Sequence, residues 1–338
     1  MIWFKSHKHH AEKSIDEKIE RWSRSFNKNS MLNILAAPYS SSDIFLDTVL
    51  NFVNSKKKVL YITNEQEDNI KFLKVLKRSS SFRNYAYFRN NGSVYDSVQL
   101  IFANHENAFD IAMKFDLVIY DDISEYADYS RDEIEELTIS KKAQKHLVYS
   151  VETVLIDGDT MEHVAGSNPF IEPRIVNTRI DLSKDIPYII YDYIKWFIES
   201  KRNLIIYLPE SQSHQIISEY LQNIDNEYEN IILDMENDYK RSLKKIKSKD
   251  IPTITLISSM YNIPQDVKNL DIIVYFADSI EFKYKKLLFL CGKVGMSNSG
   301  NLGEAIFLAN VVTENMTKAK DIARSFNKLA WESGLLKE

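Results

Sequence analysis

Short apolar runs alternate with segments of helical period along most of this chain. Met31 to Ala37 is an apolar run, Leu46, Val49, Leu50 and Val53 follow at helical spacing, and Lys58 to Thr63 is apolar again. The pattern is strand, helix, strand. Apolar runs without polar alternation predict strands covered on both faces, which is the habit of a parallel sheet. Further runs of this kind are Tyr85 to Phe88, Val98 to Ala103, Asp116 to Tyr120 and His146 to Val151. Ahead of them, residues 1–30 read as a charged amphipathic helix capped by Ser14. Its face of Ile15, Ile19 and Trp22 makes it an arm packed on the first domain.

Between Leu155 and Pro173 the periodicity lapses and Gly158, Gly166, Asn168, Pro169 and Pro173 cluster, as in a connection between domains. The alternation then restarts. Arg174 to Asp181 leads to a helix opened by Pro187, with Ile190, Ile194, Phe197 and Ile198 on one face. Leu204 to Leu208, a helix to about Leu221, Ile231 to Leu233, a basic helix, Pro252 to Ile257 and Asp271 to Phe276 come next. Gly303 to Leu308 and a last helix carrying Ala319, Ile322, Ala323 and Phe326 close the chain. The expected organisation is an arm (1–30), a first α/β domain (31–165) and a second (166–338), with no short-period repeat.

At 338 residues the chain exceeds one ordinary core and suits two domains of roughly 150 residues each. Hydrophobic residues make up 44% and charged ones 27%, the balance of a globular protein, and no apolar run reaches the length of a membrane-spanning helix. The first ten residues lack the apolar centre of a signal peptide, so the expected location is the cytoplasm. The single cysteine, Cys291, excludes an intramolecular disulfide and a zinc ribbon. A net charge of -5 does not advertise nucleic-acid binding, although it leaves room for local basic patches. Glycine is more telling. There are eight, none before Gly92, and Gly292, Gly295, Gly300 and Gly303 crowd into one short segment. The N-terminal half is therefore poorly equipped to wrap backbone around a phosphate.

The segment from Ile254 to Ala330 resembles the C-terminal part of the ComFA family, helicase-like ATPases of bacterial DNA uptake that belong to superfamily 2. Family members carry Thr-Thr-Ile-Leu-Glu-Arg-Gly, then Gln-x-x-Gly-Arg-x-Gly-Arg, then Gly-Glu-x-x-Phe. This chain reads Ser258-Ser259-Met260-Tyr261-Asn262-Ile263-Pro264, Phe289-Leu290-Cys291-Gly292-Lys293-Val294-Gly295-Met296 and Gly303-Glu304-Ala305-Ile306-Phe307. Asp116 to Ser124 is similar to the Walker B strand, Leu204 to Pro209 to the strand opening the second domain, and Ala37 to Ile44 stands where members carry Walker A. The family's four-cysteine zinc module has no counterpart. The resemblance implies two RecA-like parallel-sheet α/β domains of the P-loop NTPase type.

Set against that resemblance, the catalytic groups are replaced. Ser40, Ser41 and Ser42 stand in the phosphate loop, Asp43 takes the place of the lysine that holds the β- and γ-phosphates, and Ile44 that of the magnesium-binding hydroxyl. A carboxylate there repels what the ammonium attracts. The simpler role for Ser42 or Asp43 is to cap the following helix. Asp121 retains the Walker B carboxylate, Asp122 is one methylene shorter than the family's glutamate, and the alternative is a solvated strand end before an acidic helix. Met296 replaces the arginine finger and Lys293 keeps only a charge, while Gly292 and Gly295 keep the backbone turn. Ser40, Ser41, Ser42, Asp43, Asp121, Asp122 and Lys293 thus form a vestigial nucleotide site without catalytic residues. No cofactor or metal is expected, ATP and magnesium entering only if a weak translocase survives.

Nucleic acid is a separate question. Lys240, Arg241, Lys244, Lys245, Lys247 and Lys249 lie on one basic helix that Leu243 and Ile246 would dock, a face that tracks phosphates or is merely solvated. Arg83, Tyr85, Tyr87, Phe88 and Arg89 interleave aromatic and basic groups as a stacking platform for single strands does, or as a buried strand does. His7, His9 and His10 are an unorganised terminal cluster. The expected function is a degenerate, ATPase-inactive scaffold binding single-stranded DNA or protein partners of DNA uptake or processing. The alternatives are a weak translocase or helicase and a regulatory interaction module that touches neither nucleotide nor DNA.

Overall fold

The computed structural model describes residues 14–25, 29–89, 95–164, 168–212, 214–224, 231–235, 239–247, 251–264, 267, 269–295 and 303–336. They form two compact units, residues 1–36 with 40–163 and residues 37–39 with 164–338.

The first unit runs α1 (Ile15–Arg24), β1 (Met31–Leu35), α2 (Leu46–Asn54), β2 (Val59–Thr63), α3 (Lys71–Ser79), β3 (Tyr85–Tyr87), β4 (Leu100–Ala103), α4 (His105–Phe109), β5 (Phe115–Asp121), α5 (Arg131–Ser140), β6 (Ala143–Ser150) and β7 (Asp159–Glu162). Its strands order as β3-β4-β2-β5-β6-β1-β7 and pair in parallel throughout. Every residue of β2 and β4 is buried, so the unbroken apolar runs do mark strands covered on both sides. Leu60, Ile62, Ile101, Val118, Leu137 and Val148 share one of the cores.

α1 packs through Ile19 and Trp22, and the Asn51 side chain donates to Glu20 Oε1 at 2.5 Å. Ser14 occupies the N-cap position but its side chain makes no capping bond, which corrects the role expected of it. β7 is a second correction, because it lies in the stretch read as a connection. Three of its four residues are exposed, so no apolar signal marks it. Tertiary contacts hold it instead. Buried Asn33 of β1 accepts from the amides of Val154 and Leu155 at 3.0 and 2.8 Å and donates to Leu155 O at 2.9 Å. A Cβ at Gly158 would stand 2.8 Å from Asn33 Nδ2, so that glycine serves close packing rather than looseness.

The second unit runs β8 (Arg174–Asn177), α6 (Tyr188–Glu199), β9 (Asn203–Tyr207), α7 (His214–Ile224), β10 (Ile232–Asp234), α8 (Tyr239–Ile246), β11 (Ile254–Ile257), β12 (Leu270–Tyr275), α9 (Tyr284–Gly295), β13 (Ala305–Ala309) and α10 (Glu314–Glu332). Its parallel strands order as β10-β11-β9-β12-β13-β8. Pro187 stands at the N-cap of α6, where its fixed φ and missing N–H cost nothing. At the base of the sheet the Arg202 guanidinium forks onto buried Asp271, which also accepts from the Glu304 amide. Gly292 and Gly295 lie inside α9, not in the turn expected of them. Gly303 is the packing glycine of that segment, since a Cβ there would fall 2.0 Å from Leu270 O.

Candidate functional site

In an open parallel sheet, groups placed beyond the carboxyl ends of the strands face a ligand. In the first unit β5, β6 and β1 are neighbours, with Asp121 opposite Tyr149 and Leu35 opposite Ser150. Asp121, Asp122 and the loop from Ser40 to Asp43 therefore stand at one edge of this sheet. What fills that edge is protein.

Asp121 is fully buried. Its Oδ2 accepts the Tyr61 and Ser124 hydroxyls, both at 2.6 Å, and its Oδ1 accepts the amides of Ser124 and Ile123 at 3.1 and 3.3 Å. Four donors saturate the four lone-pair directions of a carboxylate. Burial still pushes its pKa above the usual carboxylate range, against the pull of those donors. Asp122 and Ser124 are buried as well, which corrects the expectation of a solvated strand end. The acidic helix begins only at α5, closed by a capping box of Ser130 and Glu133.

The loop between β1 and α2 is likewise engaged from within. Tyr39 turns the chain with φ of 65°, a left-handed conformation for which phosphate loops employ glycine. Ser41, not Ser42 or Asp43, caps the next helix by accepting the Asp43 amide at 3.2 Å, and that helix starts as a 3-10 turn over Ser42–Phe45. Tyr149 Oη donates to Ser41 O at 3.0 Å and lies within reach of Ser40, while Ser42 reaches the Tyr61 hydroxyl. Phe45 sits edge-on to Tyr149 with ring centres 5.1 Å apart. Ile44 is buried and Asp43 is exposed. Magnesium would need carboxylate oxygens that Asp121 has already committed to hydroxyls and amides, so this donor set does not fit the cation.

One acid here carries no motif signal in the sequence. Glu65, just beyond β2, is 4% exposed, takes the Lys71 amide at 3.1 Å and faces the Lys71 ammonium at 3.7 Å. Burial, with the Asp121 charge adding to it, raises its carboxyl to about 7. The signal for this network was Tyr61 inside the apolar run Val59–Thr63, since a buried tyrosine hydroxyl requires a partner.

Lys293, nearly buried on α9, holds its ammonium 4.4 Å from the centre of the Tyr39 ring. The other candidates lie elsewhere. On α8, Ser242 and Ile246 are buried and Leu243 is half-buried, while Lys240, Lys244 and Lys247 share one exposed stripe; Arg241 is exposed and Lys245 half-buried. The aromatic-basic segment is internally engaged. Arg83 donates to the carbonyls of Lys77, Ser80 and Phe82, Arg89 pairs with Glu67, and Phe88 packs on Tyr95. Lys249, Met296, His7, His9 and His10 lie outside the described residues. Among the described residues no group of three or more His, Cys, Asp or Glu is placed to hold a metal, and no helix is long and apolar enough to cross a membrane.

No family model matches the sequence, and no curated protein does. Solved structures do match. A variant of Dbp5 from S. cerevisiae bound to RNA and ADP BeF3 superposes with a TM-score of 0.55 at 11% identity, over 92% of this chain and 86% of that one. Dbp5 bound to RNA and ADP BeF3 gives 0.55 at 11%, over 95% and 91%. This is the two-domain fold of superfamily 2 helicases. RecG bound to a three-way DNA junction gives 0.55 at 13%, and 94% of this chain spans 46% of RecG. Both parallel sheets are RecA-like domains of that helicase fold, and at these identities the likeness is one of fold.

Proposed function

We propose that this helicase-fold protein binds single-stranded nucleic acid or protein partners as a scaffold and does not turn over ATP, as a ComFA-like relative working in DNA uptake or processing. The observation that carries the reading is the carboxylate of Asp121, spent on two hydroxyls and two amides of its own domain. Phosphoryl transfer requires a metal-holding carboxylate, a phosphate cradle and a charge-neutralising lysine acting together. Asp43 opposes the third requirement, and Tyr149 holds Ser41 in the loop where the second would stand. The nucleic-acid half of the reading is supported by the exposed stripe of Lys240, Lys244 and Lys247, and by similar structures solved with RNA and with a DNA junction.

The test is phosphate release by the purified chain with Mg-ATP and single-stranded DNA. The expected turnover is below about 0.1 per second, since typical enzymes of this kind run at about 1 to 100 per second. A faster rate replaces the scaffold by a translocase. In parallel, Lys240→Ala with Lys244→Ala and Lys247→Ala is expected to make the slope of log affinity against log salt shallower by about two units, equally on unrelated sequences. Absence of binding at about 50 mM salt by the unmodified protein would favour the pure interaction module.

A further inference from the structure

His214 and Asp234, which no motif singled out, meet Ser258, the first residue of the Ser258–Pro264 stretch, at the carboxyl edge of the second sheet. His214 opens α7, Asp234 ends β10, and Ser258 directly follows β11. The neighbouring positions of β10, β11 and β9 bring these chain points together although they are far apart in sequence. Ser258 Oγ lies 2.9 Å from His214 Nε2, and Asp234 Oδ1 lies 3.2 Å from His214 Nδ1. A neutral imidazole with its proton on Nδ1 satisfies both contacts: Nδ1–H donates to the carboxylate and Nε2 accepts the serine hydroxyl. Tyr207 Oη donates to Ser258 O at 2.6 Å and fixes the main chain that carries the serine. The relay is near the surface, with the His214 and Asp234 side chains 10% and 23% exposed and Ser258 half-buried.

A hydroxyl hydrogen-bonded to an imidazole that a carboxylate orients from behind is the signature of an activated nucleophile, recognised by geometry rather than by chain order. We propose that Ser258 is such a nucleophile, with His214 its general base and Asp234 the positioning residue, and that it accepts acyl groups from small carboxylic esters approaching from solvent. Ser258 Oγ attacks the ester carbonyl carbon while its proton passes to His214 Nε2. The C–O bond to the alcohol then breaks, and Nε2–H protonates the departing alkoxide, leaving an acyl-serine. Water, deprotonated by the same nitrogen, releases the carboxylic acid and restores the hydroxyl. This activity is independent of ATP and of nucleic acid.

The probe is a fluorophosphonate, which repeats the first half of this step: an Oγ–P bond forms, fluoride leaves and the proton goes to His214. The full-length protein is expected to gain one covalent adduct, mapped by peptide mass spectrometry to Ser258, and to hydrolyse p-nitrophenyl acetate with the same residue dependence. His214→Ala should slow labelling by about 100-fold or more. Asp234→Asn should slow it at least about tenfold, with Asp234→Glu recovering part of the rate, because a misplaced imidazole proton removes the acceptor from Nε2. Wild-type protein that carries no adduct at Ser258 overturns the proposal without reference to any variant. Labelling of His214→Ala at the wild-type rate also overturns it, leaving the contacts as a helix-start network.

Discussion

The carboxyl edges of the two sheets hold similar inventories, carboxylates beside hydroxyls at strand ends, and use them in opposite ways. At the first edge Asp121 is fully buried, each of its oxygens is met by internal donors, and Tyr149 pins Ser41 of the loop after β1. At the second edge Asp234 keeps 23% of its side chain exposed and faces a histidine whose other nitrogen meets a serine. Burial decides the difference. In a dry setting a polar group is stabilising only when every bond is satisfied inside the protein, which leaves nothing to offer a ligand. A relay at the surface keeps water as a competing partner and remains available for chemistry.

Removing each carboxylate separates the two edges most sharply. Asp121→Ala leaves the buried Tyr61 and Ser124 hydroxyls without their acceptor, at about 1–3 kcal/mol each, so the expected destabilisation is about 3 kcal/mol or more in urea unfolding. Asp234→Ala, at a partly exposed pair, should stay within about 1 kcal/mol. Equal losses would erase the contrast.

The pH dependence of stability probes the first edge through Glu65. Glu65 titrates at about 7 in the fold against an ordinary 4.5, so the folded state binds more protons than the unfolded one between those values. Its contribution is complete below pH 4.5 and disappears as pH rises through about 7, a loss on the order of 2–3 kcal/mol. Glu65→Gln should flatten the stability profile over that window and unfold later than wild type at about pH 8. An unchanged profile would mean that water reaches this edge. The smallest effect concerns the loop after β1. Ser41→Ala, which removes the cap on Asp43, should cost about 1 kcal/mol in the same unfolding measurement, and no change would show that the loop is not held by that bond.

The parallel sheets were readable because their strands are covered on both faces and so appear as unbroken apolar runs; β2, β5 and β12 coincide with such runs to within a residue or two. β7 was not readable, since an exposed edge strand of Asp159, Thr160, Met161 and Glu162 has no apolar pattern to show. The glycines of α9 misled for a related reason. Glycine signals a turn only when φ requires it, and Gly292 and Gly295 sit in helix.

For the sites, residue type was legible and engagement was not. Asp43 and Ile44 are read directly from the sequence, and only the family resemblance gives them the places of a lysine and a hydroxyl. That Asp121 is saturated by Tyr61, sixty positions away, depends on β2 lying against β5. The meeting of His214, Asp234 and Ser258 likewise depends on the order β10-β11-β9. Periodicity reports which face of an element avoids water, because each residue contributes to it locally. Strand order is a global solution to burying those faces, and it alone selects which distant hydroxyls and carboxylates come within about 3 Å of one another.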